Sequence, residues 1–520
     1  MPTSSLSTQL LIIGGGATGL GAAWDACLRG LKVILVEQSD LGQGTSGRYH
    51  GLLHSGGRYV LSDPISARDC AAENAILRRI APQAIEDTGG LFVTTPADPP
   101  EFADRWRSAC ASSGVPTDEW TISKTLKHEP LLNPRISRAF KVADAALDSF
   151  DLLHLLAEAV RKAGGQVLLQ HQVKGLGVSA GRVTSASVIN TRSGETRTIG
   201  AEIVINAAGP WTQHVASLAG INLPVVLSKG SMIAMTTRLV HTVINRCRPS
   251  QDGDIIVPVG TVVVLGTTDF EVDDPADHSI QGWEVDRIMA EGEVLIPSLA
   301  DHRPLRAWAG VRALYRPTKS VRDATRDLPR AHAILDHAVS DGIQGILSVV
   351  GGKLTTFRLM AQATVDTACQ KLGITAACST AETRIGSPPR RFHELPNRLA
   401  DVESASGRET SIVCECELAT RLGLEHSLAE DHAQALDDSR RDIRLGMGPC
   451  QAAFCGYRAA AWAAALISGS PPDGGYRAFL KERWRGVRPL AWGKTLSQIE
   501  LGRRISIELL GADSLPEDPP

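Results

Sequence analysis

The chain has 520 residues, 43% of them hydrophobic, which exceeds what one hydrophobic core needs and points to two or three globular units. Its 54 Lys and Arg against 57 Asp and Glu give a formal net charge of -3, so it lacks both the basic field that holds nucleic acid and an acidic tail. No apolar run reaches the ~18 residues of a membrane-spanning helix; the most apolar helix-like segment, residues 459–467, is roughly half that, and any membrane contact is peripheral.

The opening stretch TQLLIIGGGATG lacks the basic flank of a signal peptide, since the first basic residue is Arg29, and it reads as a buried strand over 9–13. A glycine turn over 14–21, a helix over 22–29 and a strand over 32–37 complete a βαβ unit. Strands with glycine turns follow at 167–188, and 203–208 reads as another buried strand, stopped by the Gly and Pro of NAAGPW. Residues 90–140 and about 225–325 are richer in Pro, Trp and charge, and are assigned to a second layer interleaved with the first. ILSVV, a Gly-Gly turn and a helix from about residue 354 return the chain to the first layer. The three prolines of GSPPRRFHELPNR, 386–398, mark a boundary. Beyond it a helical region runs from 417 to about 501, and the closing DSLPEDPP has the composition of a disordered end.

Gly14, Gly16 and Gly19 satisfy G-x-G-x-x-G between a strand and a helix, and Glu37 closes the second strand. A turn without side chains lets a pyrophosphate approach the backbone at a helix N-terminus, while the carboxylate accepts from ribose hydroxyls. This is a dinucleotide site, and a glutamate there argues against a 2′-phosphate. FAD and NAD share the pattern. A second glycine-rich strand-to-helix turn, GGKLTTFR at 351–358, is not explained by a single nicotinamide site; its N–H groups could face the polarised side of a flavin ring, or it is a simple helix start.

Six cysteines (Cys27, Cys70, Cys110, Cys247, Cys369, Cys378) are scattered and read as reduced, mostly buried thiols. The other four are clustered: VCECE holds Cys414 and Cys416 and, after 33 intervening residues, MGPCQAAFC holds Cys450 and Cys455. Four thiolates around a glycine-bearing loop at a helix start make a closed metal site. Zinc prefers C-x-x-C pairs, which this C-x-C and C-x4-C pattern is not, so an iron–sulfur cluster, zinc and empty thiols all stand as readings.

The stretch GTSGRYHGLLHSGGRY (44–59), with NAAGPW (206–211), LGTTD (265–269), AGVRAL (309–314) and GGKLTTFR, resembles FAD-dependent glycerol-3-phosphate dehydrogenase over about residues 8–380. The resemblance implies an α/β fold: a glutathione-reductase-like FAD-binding Rossmann domain (8–90, 141–225, 326–385), an interleaved α+β substrate domain (91–140, 226–325), a linker (386–407) and a small helical C-terminal domain (408–512). It implies FAD contacts from Gly14, Gly16, Gly19, Glu37, Thr45, Ser46, Val173, Ala208, Gly209, Gly352, Leu354 and Thr355. A phosphate monoester carries close to two negative charges and is gripped by arginine forks or a lysine; by resemblance Arg58, Arg312, Arg330 and Lys353 line that pocket. Of the two candidate bases, His50 and His54, it favours His54, with Lys353 and Arg312 assisting. Two departures stand out: Met232 replaces a histidine of the aerobic members, and Tyr49 replaces an asparagine of the anaerobic branch.

The late cysteines resemble the helical [2Fe–2S] domain of bacterioferritin-associated ferredoxins, and CECE, GMGPCQ and FLKERWRGVRPLAWG (479–493) look like the large subunit of the anaerobic type. That branch implies oxidation of sn-glycerol 3-phosphate to dihydroxyacetone phosphate, with electrons passing through the cluster toward quinone. It also implies two partners, one a second flavoprotein and the other a membrane iron–sulfur subunit, and a cytoplasmic chain held peripherally on the inner face of the cell membrane. Segment 481–494, with five positive residues around Trp484 and Trp492, reads either as a docking surface or as a solvated helix and turn with both tryptophans in a local core. Rival readings are a flavin enzyme for a 2-hydroxy acid or secondary amine, and a non-catalytic electron-transfer subunit.

Overall fold

The computed structural model describes residues 6–316, 331–386, 399–400, 402–403, 411–429, 435–466 and 475–513. Arg330, nearly all of the expected linker and residues 514–520 lie outside them. Among the described residues no helix is long and apolar enough to cross a membrane.

Strand β1 (Leu6–Ile13) and strand β2 (Val33–Val36) flank helix α1 (Ala17–Leu28). All four residues of β2, VILV, are buried, as in a parallel strand covered on both faces. The helix starts at Ala17, five residues before the expected point. Gly19 and Gly21 are helical: a Cβ on Gly19 would stand 1.9 Å from the Gly14 carbonyl oxygen, and one on Gly21 3.0 Å from the Phe357 ring. These two glycines serve close packing of the helix and are not turn residues.

Helix α2 (Ser149–Lys162) leads to β3 (Gln166–Leu168), β4 (His171–Ser179), β5 (Arg182–Asn190) and β6 (Thr196–Asn206). The first sheet has eight strands, ordered β4-β5-β6-β1-β2-β3 along its main path. The second sheet, nine-stranded, takes in Gly90–Thr94, Asp118–Trp120, Arg138–Val142 and the strands between 225 and 315. Its longest pair is β7 (Val225–Met235) against β8 (Pro304–Tyr315), which sets Ser228 opposite Arg312 and Met232 opposite Trp308. Met232 is buried with Ala234, Val264 and Leu305. The chain then returns through β9 (His332–Asp336) and β10 (Ile346–Gly351), the latter parallel to the end of β6, and enters helix α3 (Phe357–Leu372).

Apolar clusters fill both faces of the first sheet, and a third underlies the second sheet. Burial pushes the thiol of Cys27 up to about 11 and those of Cys70, Cys110 and Cys247 up to about 12, so these cysteines stay protonated core residues.

The C-terminal region is helical but opens on a short hairpin, Ile412–Cys414 with Ala419–Thr420, which sequence pattern does not announce. Helices Arg421–Ala429 and Leu436–Ile443 follow, then α4 (Cys455–Leu466), α5 (Tyr476–Val487) and a last helix, Gly493–Arg504. Two charge pairs dock this region on the first sheet's loops: Arg441 donates to Asp40 at 2.6 Å and Arg444 to Asp148 at 2.9 Å. Of the two tail tryptophans, Trp484 is half-buried and Trp492 is 45% exposed, so neither is a buried core residue.

Candidate active site

A cavity of about 1160 Å³ runs from the Gly14–Gly16 turn to the second sheet. At one end the βαβ unit supplies its floor. Gly14 has φ +114, and a Cβ there would lie 2.5 Å from the Ala207 carbonyl oxygen, so no other residue fits. Glu37 accepts from Gly15 N at 2.7 Å and from Ser39 N at 2.9 Å, which fixes its carboxylate at the cavity edge. Ser46 Oγ accepts from Ala17 N at 3.1 Å and holds the 44–48 loop over the start of α1. Thr45 Oγ1 donates to Val311 O at 2.5 Å, tying that loop to β8. Val173, Ala208, Gly209, Gly352, Leu354 and Thr355 also line the cavity; Gly19, inside α1, does not.

At the other end the cations expected from sequence come together. Arg58 donates to Ser250 Oγ at 2.9 Å and to Asp254 Oδ2 at 3.2 Å. Arg312 donates to Thr268 O at 3.3 Å and stands 3.5 Å from Asp269, whose carboxylate also accepts from Ser228 Oγ at 2.5 Å. The Lys353 ammonium sits 4.3 Å from the centroid of the Tyr59 ring. Arg48, Arg105, Arg246 and Arg248 line the same walls, giving, among the described residues, seven Arg or Lys against Glu37, Asp63 and Asp269. Asp254 is shared with Arg248, which donates to it at 2.8 Å, while Glu291 accepts from both Arg246 and Arg248 and Asp98 from Arg246, so these guanidiniums are fixed in a carboxylate network along the wall. Arg246, Arg248, Ser250 and Tyr59 are site residues that motif reading missed; Tyr59 closes the quoted GGRY, but Arg246 and Arg248 reach the cavity only through the pairing of the second sheet.

His50 and His54 lie between these cations. His54 is 8% exposed; its N–H donates to Thr355 Oγ1 at 3.1 Å, its carbonyl accepts from Asn74 at 3.1 Å, and its Nε2 is 3.5 Å from the Tyr59 hydroxyl. Asp144, buried, pins the next residue by accepting from Ser55 N at 2.6 Å. His50 uses Nδ1 to accept from Leu52 N at 3.1 Å. Burial, then Arg58 and Arg312, lowers His50 to about 3; burial, then His50, Arg58 and Lys353, holds His54 well below the usual histidine range. Both imidazoles are neutral near pH 7, so His54 can accept a proton. Tyr49 packs its ring against His50 and donates its hydroxyl to Leu147 O, a role in shaping the cavity wall.

The sequence profile of the FAD dependent oxidoreductase family matches residues 9–358. A subunit of the anaerobic glycerol-3-phosphate dehydrogenase from Haloferax volcanii is 39% identical, covering 99% of this chain and 92% of its own. The corresponding subunit from Escherichia coli is 38% identical, covering 99% of both. The chain belongs to this family of anaerobic glycerol-3-phosphate dehydrogenase subunits. The fold agrees with a solved structure, glycerol-3-phosphate dehydrogenase from Bacillus halodurans complexed with FAD, at TM-score 0.59 and 23% identity, covering 96% of this chain and 95% of that one.

The cavity suits the dinucleotide of this FAD-dependent family. A Cβ on Gly16 would meet only Ser46 Oγ, at 3.2 Å, and one on Gly209 (φ +54) nothing within 4 Å, so at both positions the bare backbone faces open cavity. The volume exceeds that of a pocket for a drug-sized ligand, ~300–1,000 Å³, leaving room for a small substrate beside a cofactor.

In this family member the four late cysteines also assemble. Cys416 Sγ and Cys450 Sγ stand 3.8 Å apart, and the Cys455 thiol interacts with those of both Cys414 and Cys450. Two sulfurs sharing one tetrahedral metal with ~2.3 Å bonds stand ~3.8 Å apart. Hydrogen bonds from Cys416 and Cys455 lower Cys450, and one from Cys455 lowers Cys414, with backbone N–H groups helping both. Among the described residues no group of three or more His, Cys, Asp or Glu stands ready to hold a single metal ion. Cys414 and Cys455 are buried, while Cys416 and Cys450 open on a surface hollow with Phe454 and Arg458.

Proposed function

We propose that this chain oxidises sn-glycerol 3-phosphate to dihydroxyacetone phosphate. The observation that carries the reading is the convergence of Arg58, Arg312 and Lys353 with His54 in the cavity floored by the glycine turn. The two arginines and the lysine bind the dianionic phosphate and glycerol oxygens; Arg330, expected to join them, lies outside the described residues. Gly14, Gly16, Glu37, Thr45, Ser46, Val173, Ala208, Gly209, Gly352, Leu354 and Thr355 hold FAD. When bound, FAD supplies the acceptor for the hydride lost from the carbinol carbon. His54 Nε2 takes the hydroxyl proton as that hydride leaves, so the alcohol loses two electrons and two hydrogens and becomes a ketone. Lys353 and Arg312 offset charge building on the alcohol oxygen. The substrate's own charge cancels part of the positive field that depresses His54, so the base strengthens when the site is filled.

Cys414, Cys416, Cys450 and Cys455 hold a [2Fe–2S] cluster, which when bound supplies one-electron relay from flavin toward quinone. Partner subunits, namely a second flavoprotein and a membrane iron–sulfur protein, carry the electrons onward with this chain on the inner face of the cell membrane. The anaerobic relatives and the paired thiols support this part. The test is anaerobic addition of glycerol 3-phosphate to the purified chain without partners: the flavin bands bleach. No bleaching with full flavin occupancy, or equal bleaching by a 2-hydroxy acid, overturns the reading.

A further inference from the structure

Arg483, on α5, is 1% exposed. Its NH2 donates to Gln451 Oε1 at 2.6 Å, while Nε and NH1 are buried with no partner among the described residues. Arg306, half-buried on β8, donates to the same oxygen at 3.4 Å. The charges around Arg483 are Arg306 and Arg440 on one side of the balance and Asp437 and Glu482 on the other, and Asp437 already accepts from Arg440 and Arg441. A guanidinium stays protonated in proteins, and an uncompensated buried charge costs several kcal/mol. A negative charge close by would offset that cost.

Gln451 points to where such a charge would lie. This residue follows Cys450, and its amide donates to Met447 O at 3.2 Å and Gly448 O at 2.9 Å. Gly448 in turn packs on Cys416, where an added Cβ would come within 2.1 Å of the cysteine Cβ. Gln451 and Ala452 both hold left-handed backbone, φ +49 and +72, a strained choice for residues with side chains. Gln451 therefore staples the loop that sets Cys450 opposite Cys416, and two guanidiniums grip that staple from outside.

We propose that Arg483 and Arg306, acting through Gln451, are positioning residues that raise the reduction potential of the group held by the four cysteines. The proposal rests on the iron–sulfur reading above. Four thiolates make such a group anionic, and one electron from reduced flavin, added without a proton, makes it more negative by one unit; a fixed buried cation favours that state. Strand β8 links this end to the substrate end. Arg306, Trp308, Gly310 and Arg312 share one face of the strand by its two-residue period, along ~20 Å at ~3.3 Å per residue. Trp308 Nε1 donates to Tyr49 O at 3.3 Å, and Gly310 packs under Arg48, both residues of the cavity wall.

The test is an anaerobic redox titration of the full holo chain followed by electron paramagnetic resonance, with iron and sulfide measured on each sample. Arg483→Met is expected to disfavour reduction at least tenfold, a fall of about 59 mV for one electron. Arg483→Lys restores most of the loss, and Arg306→Met shifts the midpoint the same way by less. Wild-type midpoints in both methionine variants, at full iron content, overturn the proposal. If Arg483→Met takes up no iron, the Arg306→Met and Arg306→Lys pair decides. Absence of iron and sulfide from the wild-type chain overturns the iron–sulfur reading and the proposal with it, an outcome distinct from an unchanged midpoint.

Discussion

Replacing Arg312 by methionine removes one cation from the substrate end while keeping the length and apolar stem of the side chain on β8. The guanidinium is 32% exposed on its side chain and is steered by Thr268 O, Ser228 O and Asp269. A hydrogen bond to a charged group contributes about 1.5–3 kcal/mol, and this partial exposure places Arg312 toward the lower end, about 2 kcal/mol. At about 1.4 kcal/mol per factor of ten, that is about a 30-fold loss in kcat/KM for glycerol 3-phosphate. The loss is shared: KM rises because the phosphate is held equally before and during hydride loss, and kcat falls because Arg312 also offsets charge building on the alcohol oxygen. Asp269 would then face the phosphate without its guanidinium, so Asp269→Asn in the same chain should recover part of the affinity. Arg312→Lys should fall between, keeping a point charge without the fork. Anaerobic stopped-flow bleaching of the flavin against substrate concentration measures this directly. An unchanged kcat/KM in Arg312→Met, with flavin content intact, refutes the reasoning.

Other expectations follow from the same geometry. Gly19→Ala places a methyl 1.9 Å from the Gly14 carbonyl, so the turn must shift and the purified chain should lose most of its FAD on gel filtration; full retention would contradict the packing role. Glu73 and Arg358, each under 5% exposed, pair at 2.8 and 2.5 Å and anchor α3, with the Gly351–Lys353 turn, to the helix Pro64–Ile80. Glu73→Gln should cost about 3–5 kcal/mol by urea unfolding, and a loss under about 1 kcal/mol would show the pair to be dispensable. Below pH 6.5 the unfolded chain binds a proton at His50 that the folded chain refuses down to about 3. Stability is therefore complete above pH 6.5 and falls by about 1.4 kcal/mol per unit of acidification for this histidine. His50→Gln should shrink the stability difference between pH 6.5 and 5 by about 2 kcal/mol, and an equal slope in both chains would contradict a neutral His50.

Local pattern carried the nucleotide end of the molecule. Alternation of apolar strand, glycines and Glu37 is a property of one short continuous stretch, and β1 and β2 appear where that pattern puts them, with α1 between them but starting earlier. The helix start was hidden because glycine is both a turn former and the residue that close helix packing demands, and only the approach of Gly14 O and Phe357 separates the two uses. The proposed substrate end rests on motifs recurring in order, and the three cations they carry, Arg58, Arg312 and Lys353, line one cavity. Arg246 and Arg248 carry no local mark: they face the cavity because Val243–Arg246 pairs with Gly90–Thr94, a contact spanning about 150 residues. Met232 illustrates the same gap: in the mixed stretch 225–325 neither its strand nor its direction, into the core with Leu305, has a local mark, and the partner strand sets both. The four-cysteine pattern was visible, but the hairpin that carries Cys414 is too short, at three and two residues, to leave a periodic signal.

The measurement that bears most directly on the central claim is a crystal structure of the chain with FAD and glycerol 3-phosphate. The account predicts phosphate oxygens within hydrogen-bonding distance, about 2.7–3.2 Å, of the Arg58 and Arg312 guanidiniums, with the carbinol hydroxyl turned toward His54 Nε2. A phosphate seated on other residues, with Arg58 and Arg312 still paired to Asp254 and Asp269, would contradict it.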